Sequence, residues 1–254
     1  MTTFSEQFPI VFQALNIGFL QTLKLFFVTL IGAIPLGLII SFGSMSNWAP
    51  LGFLRPLLKN LPKNTKLTWW QRFQIWCYVD FKPIRIIVRF IIWVVRGTPL
   101  MLQLIVVCFA PYYVFGMKLT AGWTFAALII GFVINYAAYF AEIYRGGIES
   151  IPVGQYEAAE VLGYTRGQTF GRIILPQMVK HVLPPVTNEV ITLVKDTSLA
   201  FVLSYAEMFT IAKRVANSIS SVMPLFVAGL FYFVFNAIVA WAMEKIEKRM
   251  SYYH

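Results

Sequence analysis

The chain has 254 residues, 58% of them hydrophobic and 13% charged, where a soluble globular domain carries roughly a quarter charged residues. So few charged side chains cannot cover the surface of a water-soluble fold of this length, which excludes that class and makes the bilayer the natural solvent. The formal charge is +10, but long apolar runs interrupt the bases, so they read as positive loops beside membrane spans and not as a nucleic-acid-binding face.

The opening MTTFSEQFPI carries one acid and no base, unlike the basic start of a cleavable signal, so the first apolar segment reads as a retained span. A spanning helix needs about 20 mostly apolar residues. The sequence predicts an all-α, polytopic membrane protein of about five such helices in one transmembrane domain over 1–254. The first covers roughly 17–43, with Lys24 near its outer end, where its stem can snorkel to the headgroups. A basic and aromatic loop, 45–85, follows. The second span is 86–112, interrupted by Arg96-Gly97-Thr98-Pro99; residues 97–116 can also span unaided with 84–95 lying in the interface, and both readings stand. The third is 121–143, the fourth 178–206 and the fifth 222–243. The fourth is studded with Thr187, Asn188, Glu189, Thr192, Lys195, Asp196, Thr197 and Ser198, yet the charge distribution favours it. With an outer N-terminus and a cytoplasmic C-terminus, fifteen of the 21 Lys and Arg fall on the cytoplasmic side and only Lys118, Lys213 and Arg214 outside.

Between the third and fourth spans, 150–176 is punctuated as two short cytoplasmic helices. Ser150 is placed to cap the first, Pro152 fits its first turn and Gly163 suits a left-handed position after its end. Thr165 and Gln168 have capping-box spacing, Pro176 is expected to stop the second helix, and Phe170, Ile173 and Ile174 share a face. On the residues alone, this is an amphipathic hairpin resting on headgroups or under the bundle.

Four ordered motifs make the pattern specific: Arg96-Gly97-Thr98-Pro99-Leu100 with Gln103; Ala141-Glu142-Ile143-Tyr144-Arg145-Gly146-Gly147-Ile148; Glu157-Ala158-Ala159 with Gly163 and Ile174-Leu175-Pro176; and Lys195-Asp196-Thr197-Ser198-Leu199. Together they resemble the membrane subunits of polar amino acid ABC importers, from about Gly18 to the C-terminal tail. The third motif resembles the EAA loop of these permeases, which docks on the ATP-hydrolysing subunit; the resemblance therefore assigns ATPase coupling to Glu157, Ala158, Ala159 and Gly163. It implies a multi-pass cell-membrane protein with a second permease copy or paralogue, two ATPase subunits and an extracytoplasmic amino-acid-binding protein. The sequence departs from the family at 58–82, a lengthened loop in which Lys and Arg interleave with Trp69, Trp70, Phe73 and Trp76. That composition suits an anchor on an anionic inner leaflet, and a regulatory contact with the ATPase or a nucleotide is the other reading.

Intramembrane polar groups are costly and mark a cavity, a partner or a transport path. The candidates for the path are Gln103 in the second span, Asn135, Tyr139 and Glu142 in the third, and Lys195, Asp196, Thr197 and Ser198 in the fourth. They supply both donors for a carboxylate and acceptors for an ammonium. Structural alternatives stand beside this: an i, i+3 pair of Glu142 with Arg145, and an internal packing network around Lys195 and Asp196. No GxxxxGK[ST], HExxH or GxSxG is present, Cys77 and Cys108 read as free thiols, and His181 and His254 are isolated. No catalytic residue, cofactor or metal is therefore expected, and any ATP would be hydrolysed on another subunit. The alternative class is an ion-coupled secondary transporter or channel, which would usually show internal repeats, and none is found. A membrane scaffold without transport sits poorly with the intramembrane charges.

Overall fold

A computed structural model describes residues 4–50, 68–70 and 81–250. Cys77, Phe73, Trp76 and most of the 58–82 stretch lie outside the described residues. All elements described are helical: α1 (Phe4–Ser44), α2 (Pro83–Gly97), α3 (Leu100–Phe115), α4 (Ala121–Glu149), α5 (Val153–Val161), α6 (Arg166–Thr169), α7 (Leu175–Asp196), α8 (Met208–Ile219) and α9 (Met223–Met250). A π-helical turn, Phe170–Ile174, joins α6 to α7, and a 3-10 segment, Thr197–Leu203, continues α7.

The long helices α1, α4 and α9 are each long and apolar enough to cross a membrane, and the pair α2 and α3 adds a fourth if it counts as one broken span. The segments 17–43, 121–143 and 222–243 fall within those three helices. At 41 residues α1 is about 60 Å long, twice the hydrocarbon thickness, so it projects well past the apolar layer. Two of its hydroxyls bond within the helix, Thr22 donating to the Gly18 carbonyl and Ser41 to that of Leu38, while the buried Thr29 hydroxyl has no hydrogen-bond partner among the described residues.

The expected segment 86–112 departs from a single straight helix. The chain bends by 110° between α2 and α3, because Pro99 lacks an amide donor and holds Thr98 extended. The segment 178–206 is likewise composite, since the α-helix ends at Asp196, a 3-10 segment runs to Leu203 and the last three residues are non-helical. Pro176 does not stop a helix. Residues 166–196 are helical throughout, and the π turn, in which the Leu175 amide bonds back to the Phe170 carbonyl, takes up the register just before the proline that lacks a donor. Nor does Ser150 cap the hairpin's first helix: it closes α4, donating to the Gly147 carbonyl, and Pro152 stands at the start of α5.

Around α4 the packing is closest. Its buried face, Leu128, Phe132, Tyr136 and Phe140, shares one core with Leu25 and Phe26 of α1, Leu104 of α3 and Leu193 of α7, and Phe235 of α9 joins that core through Phe26. Two glycines permit this approach. A β-carbon at Gly37 would lie 2.7 Å from the Phe140 β-carbon and 3.1 Å from the Ala137 carbonyl oxygen, and one at Gly147 would lie 2.2 Å from Val182. Small residues at such crossings are how helices associate where lipid removes the hydrophobic drive. By contrast α9 buries only Pro224, Ala228, Phe235 and Val239 and exposes Leu230, Phe233 and Trp241, as a hydrocarbon-facing helix does.

Candidate functional site

The hairpin after α4 is built from local signals that the sequence states openly. Thr165 Oγ1 accepts the Gln168 amide while Gln168 Oε1 accepts the Thr165 amide at 2.9 Å, completing a capping box. Gly163 has φ of +74°, and its amide and that of Tyr164 close the end of α5 by bonding to the Glu160 and Ala159 carbonyls. Ala159 is fully buried, and Gln155 receives a hydrogen bond from Gln177 at 3.2 Å, tying α5 to α7. Ala159 is thus the hairpin's inner contact, while Glu157 and Ala158 are exposed with Gly163. On the outer side, Val153, Val161 and Leu162 form an apolar ridge, with Val161 88% and Leu162 72% exposed.

The polar candidates in the bundle separate into two groups. In the first, Gln103 and Asn135 meet each other: Asn135 Nδ2 donates to Gln103 Oε1 at 3.0 Å. Gln103 Nε2 donates to the Val95 carbonyl at 2.7 Å and to both the carbonyl and hydroxyl of Thr98, capping carbonyls that the α2–α3 break would leave orphaned. Their polar atoms hold the break. Nearby, Tyr139 lies under the Arg96 guanidinium at 5.2 Å, and Glu142 pairs with Arg145, whose Nε donates at 3.1 Å, and more loosely with Arg96 at 3.9 Å. Arg145 also pairs with Glu149, and Arg89 lies 3.8 Å from the same carboxylate. A groove of about 250 Å³ opens here, lined by Arg89, Ile92, Trp93, Arg96, Glu142 and Arg145.

The second group lies at the end of α7. The Tyr136 hydroxyl donates to Asp196 Oδ2 at 2.8 Å, joining α4 to α7 across 60 residues of sequence. Glu189 is half-buried one face-repeat earlier and shares the electrostatic neighbourhood of Asp196 and Arg96. Thr197 is fully buried with its hydroxyl bound to the Val194 carbonyl, and Ser198 donates to the Lys195 carbonyl at 2.7 Å. Lys195 is exposed, and with Asn188 and Thr192 it forms an exposed polar face of α7 at intervals of four and three residues, while Asp196 beside it is half-buried.

Tyr136 is a polar residue of the expected third span, and only the fold reveals its partner, Asp196. Two features escaped the sequence reading. Amphipathic α8 falls in the stretch 207–221, between two expected spans, where it is too short and too polar to register as a crossing. Glu207, fully buried at the start of α8, accepts the Phe209 and Thr210 amides, the Thr210 hydroxyl and the Tyr232 hydroxyl at 2.6–2.9 Å. An acidic residue just before a helix was the available signal.

Comparison with known proteins places this geometry. Residues 75–252 match the family described as the binding-protein-dependent transport system inner membrane component. Over 227 residues the chain is 33% identical to the octopine transport system permease protein OccM of Rhizobium meliloti, covering 87% of this chain and 85% of that one. It is 34% identical over 172 residues to the arginine transport system permease protein ArtQ of Bacillus subtilis, covering 67% and 77%. A crystal structure of an amino acid ABC transporter with histidines superposes with a TM-score of 0.76 at 27% identity, covering 98% of this chain and all of that chain. The MetNI methionine ABC transporter in an inward-facing form shares the fold, with a TM-score of 0.59 at 15% identity over 95% and 94% of the two chains. An all-helical chain with apolar crossing helices, an intramembrane polar group and a capped hairpin thus belongs to the family of binding-protein-dependent transport system inner membrane components, multi-pass permease subunits of ABC transporters.

Proposed function

We propose that the chain is one of two permease subunits of an ATP-driven amino acid importer, with its C-terminus and the 150–176 hairpin in the cytoplasm and its N-terminus outside. Two separate ATPase subunits would dock on the hairpin, and an extracytoplasmic binding protein would deliver the amino acid. The observation that carries the reading is the exposed polar face Asn188, Thr192 and Lys195 on α7. Lipid cannot cover such a face without a cost of several kcal/mol, so it belongs against a water-filled path shared with a second subunit. The half-buried pair Glu189 and Asp196 on the neighbouring face lies within reach of the same path. Relatives named as octopine, arginine and L-cystine permeases support amino acid cargo.

The mechanism follows from the hairpin's stiffness. The two helix ends that meet at its turn are capped, and its exposed residues Val153, Val161 and Leu162 offer an apolar contact to an ATPase surface. Closure of the ATPase pair on ATP would drag α5 with it and turn the path from inward-facing to outward-facing, where the binding protein releases its cargo. Gly163→Asp puts a β-carbon and a charge at a left-handed position, and Glu157→Lys reverses a charge on the exposed surface of α5. Both variants are expected to insert in the membrane and to lose the link between ATP hydrolysis and uptake in reconstituted vesicles. Normal uptake by both would remove the hairpin from the coupling role.

A further inference from the structure

Asn135, Tyr139, Glu142, Arg145 and Glu149 of α4 follow at intervals of four, three, three and four residues. At about 100° per residue they stay within roughly a third of the helix circumference, over about 21 Å of its length. Every one is engaged by α2, by the α2–α3 break, or by a neighbour in the same stripe. Asn135 holds Gln103, which caps Val95 and Thr98. Arg96 covers the Tyr139 ring and approaches Glu142, and Arg89 approaches Glu149. Arg89 Nε also donates to the Ser44 carbonyl at 3.2 Å, at the end of α1.

Apolar packing does little to hold α2. Ile92 is its one buried residue, while Ile87, Phe90, Ile91 and Trp93 are exposed. The polar stripe thus fastens α2 to α4 at several points along its length: the Arg96 contact with the Tyr139 ring and ion pairs at 3.8 and 3.9 Å. Its last member, Glu149, is followed by Ser150, Ile151 and Pro152, after which α5 begins. Arg145 sits at the middle of the charged part, with Nε and Nη2 on Glu142 and Nη1 on Glu149. A planar guanidinium can span two carboxylates in this way and a lysine ammonium cannot.

We infer that the polar stripe of α4 carries movement of the 150–176 hairpin to α2 and the α2–α3 break, with Arg145 as its positioning residue. The inference rests on the reading of the hairpin as the ATPase dock. Displacing α5 pulls the end of α4, and α2 follows because the ion pairs and the Gln103 cap fix it at both ends. The break at Thr98 and Pro99 is then the joint about which α2 swings.

The test uses the full complex with its ATPase and binding protein, with Cys77 and Cys108 replaced by serine and alanine. Spin labels on Trp93→Cys and Leu230→Cys, both exposed, report the distance from α2 to α9 without nucleotide and with ATP and vanadate. Cross-linking from Leu162→Cys to the ATPase reports docking separately. The parent complex is expected to show a nucleotide-driven distance shift. Arg145→Gln should abolish it and Arg145→Lys should shrink it, with the Leu162→Cys cross-link unchanged. Uptake per ATP hydrolysed should fall about fivefold or more in Arg145→Gln, the range of a site-to-site coupling. An undiminished shift in Arg145→Gln overturns the inference; if that variant does not assemble, an undiminished shift in Arg145→Lys does so. No cross-link in the parent complex refutes the ATPase-dock reading itself.

Discussion

Removing the Tyr136 hydroxyl asks whether Asp196 is held in place for the cargo or for the fold. Tyr136→Phe keeps the ring, which is buried in the core and stacked on Phe132 at 6.5 Å, and deletes only the 2.8 Å hydrogen bond to Asp196 Oδ2. A hydrogen bond to a charged acceptor contributes about 1.5–3 kcal/mol, whereas interhelical bonds within a bilayer average about 0.6 and reach about 1.7 kcal/mol. Asp196 is only half-buried, which places the expected effect between these at about 1–2 kcal/mol, or roughly 5–30-fold in an equilibrium. If Asp196 contacts the cargo, kcat/KM for uptake in reconstituted vesicles falls by that factor while the yield of assembled complex is unchanged. Asp196→Asn should lower kcat/KM further, and adding Tyr136→Phe to it should cost little, because the charged acceptor is already gone. Additive losses in the double variant would show that the two side chains act independently. A loss of assembly with unchanged kcat/KM would make the pair purely structural.

Two further outcomes follow from packing and burial. Glu207→Ala leaves the Thr210 and Tyr232 hydroxyls and two α8 amides without their acceptor, so it should destabilise the detergent-solubilised protein by about 3–5 kcal/mol, read as a lower thermal midpoint; a change of a few tenths would refute the cap's importance. Gly147→Val forces a β-carbon 2.2 Å from Val182 and should separate α4 from α7, lowering the midpoint by an amount typical of overpacking, about 1–3 kcal/mol, which Val182→Ala should partly restore.

Much of the architecture is legible in the chain because its signals are local. The apolar lengths of α1, α4 and α9, the capping pair Thr165 and Gln168, and the left-handed Gly163 each depend on residues within a few positions of one another. Pairings between helices are not legible in this way. The amphipathic spacing of α4 puts Asn135 and Tyr139 on one face, but nothing in the sequence says that Gln103 fills that space or that Arg96 comes to rest on Tyr139. The polar residues therefore read as path-lining, while several of their polar atoms are consumed by one another. Proline misleads in the same manner: Pro176 looks like a stop until a π turn one step earlier relieves it, and the double proline of α7, Pro184 and Pro185, likewise sits inside a helix.

The close contact between α1 and α4 constrains how the protein can move. Where Gly37 lies against Phe140 and the Ala137 carbonyl, and Gly32 against Val133, the two backbones interlock like teeth, and sliding by one residue would drive side chains into main chain. The pair is therefore a single beam with no shear of its own. Any change that opens the membrane barrier must pivot this beam as one piece and find its play at softer joints: the bend before α3, the 3-10 segment after α7, and the turn that leads into the hairpin.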